Sequence, residues 1–222
     1  MRESYHDELA ANTNDVVTMT ALVRTAVERA TAALIDADLA VAEEVISADS
    51  KLDALHDEIE QRSFNLLARQ APVAGELRTV VAVLRMCYEL SRMGDLAVHV
   101  AETARHRYPD HAVPDPVAQQ FTKMATIADK MIATAGQTLV DRDVEDAKKL
   151  ASQDTAIDDI RAEQFRMLLS DTWQYGVEEA VDTALLGRYY ERIADHAVAI
   201  GSRVIYIVTG EAPEGEDWPK AF

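Results

Sequence analysis

The first 71 residues contain neither glycine nor proline, and so long a run without the residues that break helices and build turns excludes a sheet of short strands there. Cysteine is nearly absent as well. Cys87 stands alone, so no intrachain disulfide can form, a reducing compartment fits, and the thiol reads as a small core residue within its apolar helix. Long hydrophobic runs are also missing. The stretch Val204–Val208, preceded by Arg203, falls far short of the roughly 20 apolar residues a membrane helix needs. The acidic start, Met1 to Glu8, has no apolar signal core, so a cytoplasmic location without membrane insertion is expected. Positive charge is scarce: 22 Lys and Arg face 39 Asp and Glu, a net charge of -17. That balance repels nucleic acid and anionic membrane surfaces, so no direct nucleic-acid contact is expected. Finally, no phosphate-cradling glycine loop, Gly-x-Ser-x-Gly elbow, Cys-x-x-Cys or His-Glu-x-x-His is present, which removes the common catalytic motifs.

What remains is a helical chain built twice. At 222 residues and 48% hydrophobic content, it can bury one large core or two small ones. Leu9, Val16, Met19, Val23, Ala26, Ala30, Ala33 and Leu34 recur at three-, four- and seven-residue spacings and predict a first helix, closed by the capping sequence Asp36-Ala37-Asp38. A second helix is predicted from Leu39 to Arg69, and a third from a first-turn Pro72 to a stop near Tyr108-Pro109. Three prolines between Pro109 and Pro116 mark a linker near the midpoint. Beyond it, Leu139-Val140-Asp141-Arg142-Asp143-Val144 repeats Leu34-Ile35-Asp36-Ala37-Asp38-Leu39 at an offset of 105. By the third helix of each half the offset is 100, which aligns Arg92 with Arg192, Gly94 with Ala194 and Asp95 with Asp195. The expected fold is all-α: two tandem, duplicated three-helix bundles at 1–108 and 117–209, a linker at 109–116 and a mobile acidic tail at 210–222. Trp218 and Phe222 on that tail could dock on a partner.

Carboxylates occupy positions where core residues belong. Asp49 and its twin Asp154 fall on the apolar seam of the second helix of each half, followed one turn later by Asp53 and Asp158. Asp95 answers them from the third helix, and Glu191 with Asp195 from the sixth, whose seam is otherwise rich in small residues: Ala180, Ala184, Gly187, Ala194 and Gly201. Buried like charges need compensation. Arg92 and Arg192, three residues before Asp95 and Asp195, could supply it. So could a divalent cation or iron, which clustered carboxylate oxygens suit. His56, His99 and His196 are possible nitrogen ligands, yet the Glu-x-x-His pattern of di-iron bundles is only approached by Asp53-Ala54-Leu55-His56 and is not repeated, because Arg161 stands at the duplicate position.

The doubled signature, Ser91-Arg92-Met93-Gly94-Asp95 and Tyr190-Glu191-Arg192-Ile193-Ala194-Asp195-His196 with paired aspartates upstream, resembles the PhoU family of phosphate-signalling regulators, its actinobacterial members especially. The likeness runs from about Met19 to Ile205. The resemblance implies a negative regulator of the phosphate-starvation response, an adaptor between the ATPase of the high-affinity phosphate transporter and a sensor histidine kinase, and a homodimer. It also implies metal sites at acidic-x-x-x-Asp patterns. Glu191 with Asp195 satisfies that pattern. Ser91 breaks it before Asp95, so the set Asp154, Asp158, Glu191 and Asp195 is expected to hold a cation more tightly than Asp49, Asp53 and Asp95. The competing reading is a carboxylate-bridged metal enzyme or metal-storage bundle.

Overall fold

The computed structural model describes residues 2–211, which form six α-helices and no strand: α1 (Arg2–Asp36), α2 (Leu39–Gln70), α3 (Ala74–Arg107), α4 (Asp115–Asp141), α5 (Val144–Leu168) and α6 (Val177–Thr209). Residues 212–222, with the expected docking residues Trp218 and Phe222, lie outside the described residues.

The duplication is visible in the turns. The α1–α2 turn places Ala37 in the left-handed region (φ 50°) and caps α2 with Asp38, whose carboxylate accepts from the Val41 N–H at 3.1 Å. In the α4–α5 turn Arg142 is left-handed (φ 53°) and Asp143 accepts from the Asp146 N–H at 3.0 Å. Both turns thus use a short acid to satisfy a free helix N–H, which offsets the cost of a left-handed residue with a Cβ.

Two boundaries differ from expectation. Pro72 does not open α3; it follows the left-handed Ala71, and the helix begins at Ala74 behind Val73. The reversal after α2 needs extended backbone at Val73, which postpones helical geometry. The linker is shorter than its prolines suggest, because Asp115 and Pro116 already lie in the first turn of α4, where a missing N–H costs nothing. Ala112 and Val113 within it are buried, so the connection is fastened to the core.

Each half is a three-helix bundle, α1–α3 and α4–α6, and the halves also meet through α1 against α4 and α3 against α6. Four helices (α1, α3, α6 and α4) therefore enclose a shared core, with α2 and α5 on its outer flanks. The core is continuous: Met19, Val23, Met86, Phe121, Met124, Met131 and Ile193 belong to one cluster. Tyr190 crosses it from α6, fully buried, stacked near Phe121 and hydrogen-bonded to Thr31 Oγ1 on α1 at 2.6 Å. Burial raises its phenol well above the usual range. Cys87 is a core residue as the sequence suggests; its thiol lies 3.6 Å from Met19 Sδ, and burial pushes it up to about 12, which makes it inert.

The small-residue seam of α6 faces α5. A Cβ on Gly201 would come within 2.9 Å of the Ala147 carbonyl oxygen, and one on Gly187 within 2.6 Å of Gln164 Oε1. These glycines set how closely α6 approaches α5. Gly94 does the same for α3 and α2, since its Cβ would strike Leu52 and approach Asp49.

Candidate functional site

Close helix approach is what brings the carboxylates together. In the C-terminal half, α5 supplies Asp154 and Asp158 one turn apart, and α6 supplies Glu191 and Asp195 one turn apart. The three aspartates are all raised, with Glu191 among the charges that raise each of them. Burial first, then Asp195, Asp158 and Glu191 in that order, raise Asp154 to about 7. Asp158 is raised by burial and Glu191 while Arg161 pulls it back; Asp195 is raised by burial and Glu191 while Arg188 opposes.

The compensating cations are not the ones the spacing suggested. Arg161 Nη1 lies 2.8 Å from Glu191 Oε2 and Arg188 Nη1 lies 2.7 Å from Glu191 Oε1, whereas Arg192 forms no ion pair among the described residues. The reason is geometric. Glu191 is only 12% exposed and faces α5, so Arg161 on that helix and Arg188 one turn back reach it. Arg161 was met in the sequence only as a missing histidine, although a cation on the helix facing Glu191 is a recoverable signal. Arg188, three residues before Glu191, was equally legible.

The N-terminal half repeats the arrangement with fewer charges. Asp49 is raised by burial, then by Asp53 and Asp95, which puts the three aspartates in one field. Here the expected local pair does form, Arg92 with Asp95. Ser91 replaces the acid that would answer Glu191, and among the described residues no arginine pairs with Asp49. Asp49 instead borders a groove of about 440 Å³ with Arg29, Glu44 and Lys51 on its walls.

The histidines are engaged elsewhere. His56 sits beside Asp57, His99 bonds Glu102 at 3.2 Å and packs on Tyr189, and His196 Nδ1 lies 2.7 Å from Glu89 Oε2 across the α3–α6 interface. As cation sites, the clusters fit in chemistry before they fit in spacing. Their donors are all hard oxygens, and Asp154 Oδ1 and Glu191 Oε2 are buried with no hydrogen-bond partner, the 2.8 Å Arg161 contact being ionic and poorly directed. Among the described residues, however, no three Asp, Glu, His or Cys side chains converge to form a ready-made cation site.

Comparison with known proteins matches this doubled architecture. The PhoU domain model matches twice, at residues 16–104 and 121–204. The chain is 43% identical to the phosphate-specific transport system accessory protein PhoU homolog 2 of Mycobacterium tuberculosis, over 96% of this chain and 100% of the relative. It is 42% identical to PhoU homolog 1 of Mycobacterium leprae, over 99% of each. The crystal structure of PhoU from Pseudomonas aeruginosa superposes with a TM-score of 0.84 at 26% identity, covering 93% of this chain and 100% of that one. PhoU from Streptococcus pneumoniae superposes with a TM-score of 0.86 at 23% identity, covering 95% and 99%, and supports the fold.

Proposed function

This chain belongs to the PhoU family, and from that premise we propose that it regulates phosphate uptake as an accessory protein of the phosphate transporter, holding the phosphate-starvation response off when phosphate is plentiful. Likeness along the whole chain to accessory proteins of the phosphate-specific transport system carries this reading. The family consists of regulatory accessory proteins, and the chain is not an enzyme.

The finer mechanism is the one the family resemblance implies, and the charge of the chain agrees with it. A protein of net charge -17 does not seek DNA, which supports an output through proteins, and the resemblance to the PhoU family implies the transporter ATPase and a sensor histidine kinase as those partners. The pseudo-twofold body offers two related helical faces for two such partners. Among the described residues no helix is long and apolar enough to cross a membrane; we place the protein in the cytoplasm, as a homodimer, in contact with the cytoplasmic parts of both partners. Deleting the gene and reading a phosphate-starvation reporter in phosphate-rich medium tests the proposal.

The buried, unpartnered Asp154 Oδ1 favours a metal-linked second layer to the same function. Asp154, Asp158, Glu191 and Asp195 would hold a divalent cation or iron once Arg188 and Arg161 release Glu191. Such an ion would supply positive charge that lets all four carboxylates ionise together, tying α5 to α6.

A further inference from the structure

The α3–α6 interface carries an unbalanced group of arginines. The two helices run antiparallel, as the Glu89–His196 contact and the Arg107–Asp182 pair at 2.6 Å show. At one end of the interface charge is matched, since Arg107 on α3 pairs with both Glu178 and Asp182 on α6. At the other end the repeat substitutes Arg78 for Glu178 and Ala82 for Asp182. Cations gather there. The register fixed by Glu89–His196 and Arg107–Asp182 brings Arg203 on α6 level with the exposed Arg85 on α3, and burial, then the charge of Arg85, lowers the Arg203 pKa. Arg78 lies two turns before Arg85, beside the end of α6, where a Cβ on Gly210 would be 3.5 Å from the guanidinium carbon. None of the three forms an ion pair among the described residues, and the Nε atoms of Arg78 and Arg203 are buried without a hydrogen-bond partner. Glu89, the nearby acid that favours charged Arg203, is already held by His196.

We propose that Arg85 and Arg203, flanked by Arg78, form a binding site for a tetrahedral oxyanion of the phosphate type. Two guanidinium groups at the same level of adjacent helices repel unless an anion lies between them, and their planar forks match the oxygens of a phosphoryl group. In so acidic a protein a free anion is repelled from most of the surface, which makes a paired-arginine site the place where one can settle. The ligand could be inorganic phosphate or an esterified phosphoryl group.

The test is thermal melting of the full chain in sodium phosphate against sodium chloride at equal ionic strength, with phenyl phosphate as the ester arm. It is run on wild type and on E214Q/E216Q/D217N, so that the acidic C-terminal segment cannot mask the site. At about ten times the dissociation constant, the bound anion should raise the melting temperature by roughly 3–5 °C over chloride. R85Q and R203Q should weaken binding about tenfold or more. In chloride, R203Q should melt no lower than wild type, because a repulsive contact has been removed. A larger response to either phosphate or phenyl phosphate supports the site and identifies its source. Equal melting in phosphate and chloride for both parent proteins overturns it, as does an anion response retained in both arginine variants. R203Q melting below wild type in chloride would also overturn it, showing that Arg203 has a structural partner.

Discussion

Arg24 and Asp129 occupy the same position in the two copies of the repeat, 105 residues apart, yet they carry opposite charges and clasp each other. Arg24 Nε lies 2.7 Å and Nη2 3.0 Å from the two carboxylate oxygens. Equivalent residues can touch only beside the axis relating the halves, so this pair sits where α1 meets α4. With side chains 43% and 37% exposed, its worth is modest. A double-mutant cycle with R24A and D129A, read by urea denaturation, should give a coupling of about 0.5–1 kcal/mol. The charge swap R24D/D129R should recover most of it, whereas zero coupling would remove the pair from the forces joining the halves.

Glycine sets the α5–α6 distance. G201A would push a methyl group against the Ala147 carbonyl oxygen, and a backbone atom cannot rotate aside, so the variant should lose about 1–3 kcal/mol. G75A, whose added Cβ would meet only the far end of Arg78 at 3.8 Å, is the control and should change stability little. Calorimetry of both variants distinguishes close packing from mere helix propensity, which predicts that both become more stable.

Asp154 makes stability depend on pH. Its folded-state value, about 7, lies above the ordinary carboxylate value, so its contribution is fully present below about pH 4 and is lost as pH rises through 7. D154N should therefore be more stable than wild type at pH 8 by on the order of 1–2 kcal/mol, after allowing for solvent screening, and should match it near pH 4. A difference unchanged between the two pH values would mean that the carboxyl titrates normally.

Cation binding should follow the same cluster. Calcium, manganese and iron titrations should lose more affinity in D154N/E191Q than in D49N/D95N, because Ser91 leaves the N-terminal set of Asp49, Asp53 and Asp95 one acid short. R188A should strengthen binding several-fold by freeing Glu191. Equal losses in the two double variants would reject the asymmetry, and weaker binding in R188A would show that the arginine supports the cation rather than competing with it.

The repeat, the six helices and the inward placement of Asp49, Asp154 and Glu191 were legible because they reside in periodicity, and periodicity survives in a bare sequence. Arg188 and Arg161 were harder to read. Choosing Arg161 over Arg192 for Glu191 requires the rotation of α6 against α5, which depends on the seam glycines and on Gln164 behind Gly187. Pro72 misled for a related reason: it is a good first-turn residue in isolation, but the tertiary reversal at Ala71 uses the next two residues as turn. The shared core of the two halves was also beyond a repeat-by-repeat reading, since α1–α4 and α3–α6 contacts join positions that each copy presents as its own outer face.

The central claim is regulatory, and a gene deletion addresses it most directly. In phosphate-rich medium, a reporter for the phosphate-starvation genes should be off in the parent strain, on in the deletion and off again when the chain is restored. R192A/D195A should restore repression only partly, with immunoblots showing that the protein persists. Normal repression in the deletion, in a strain with no second family member, would contradict the account.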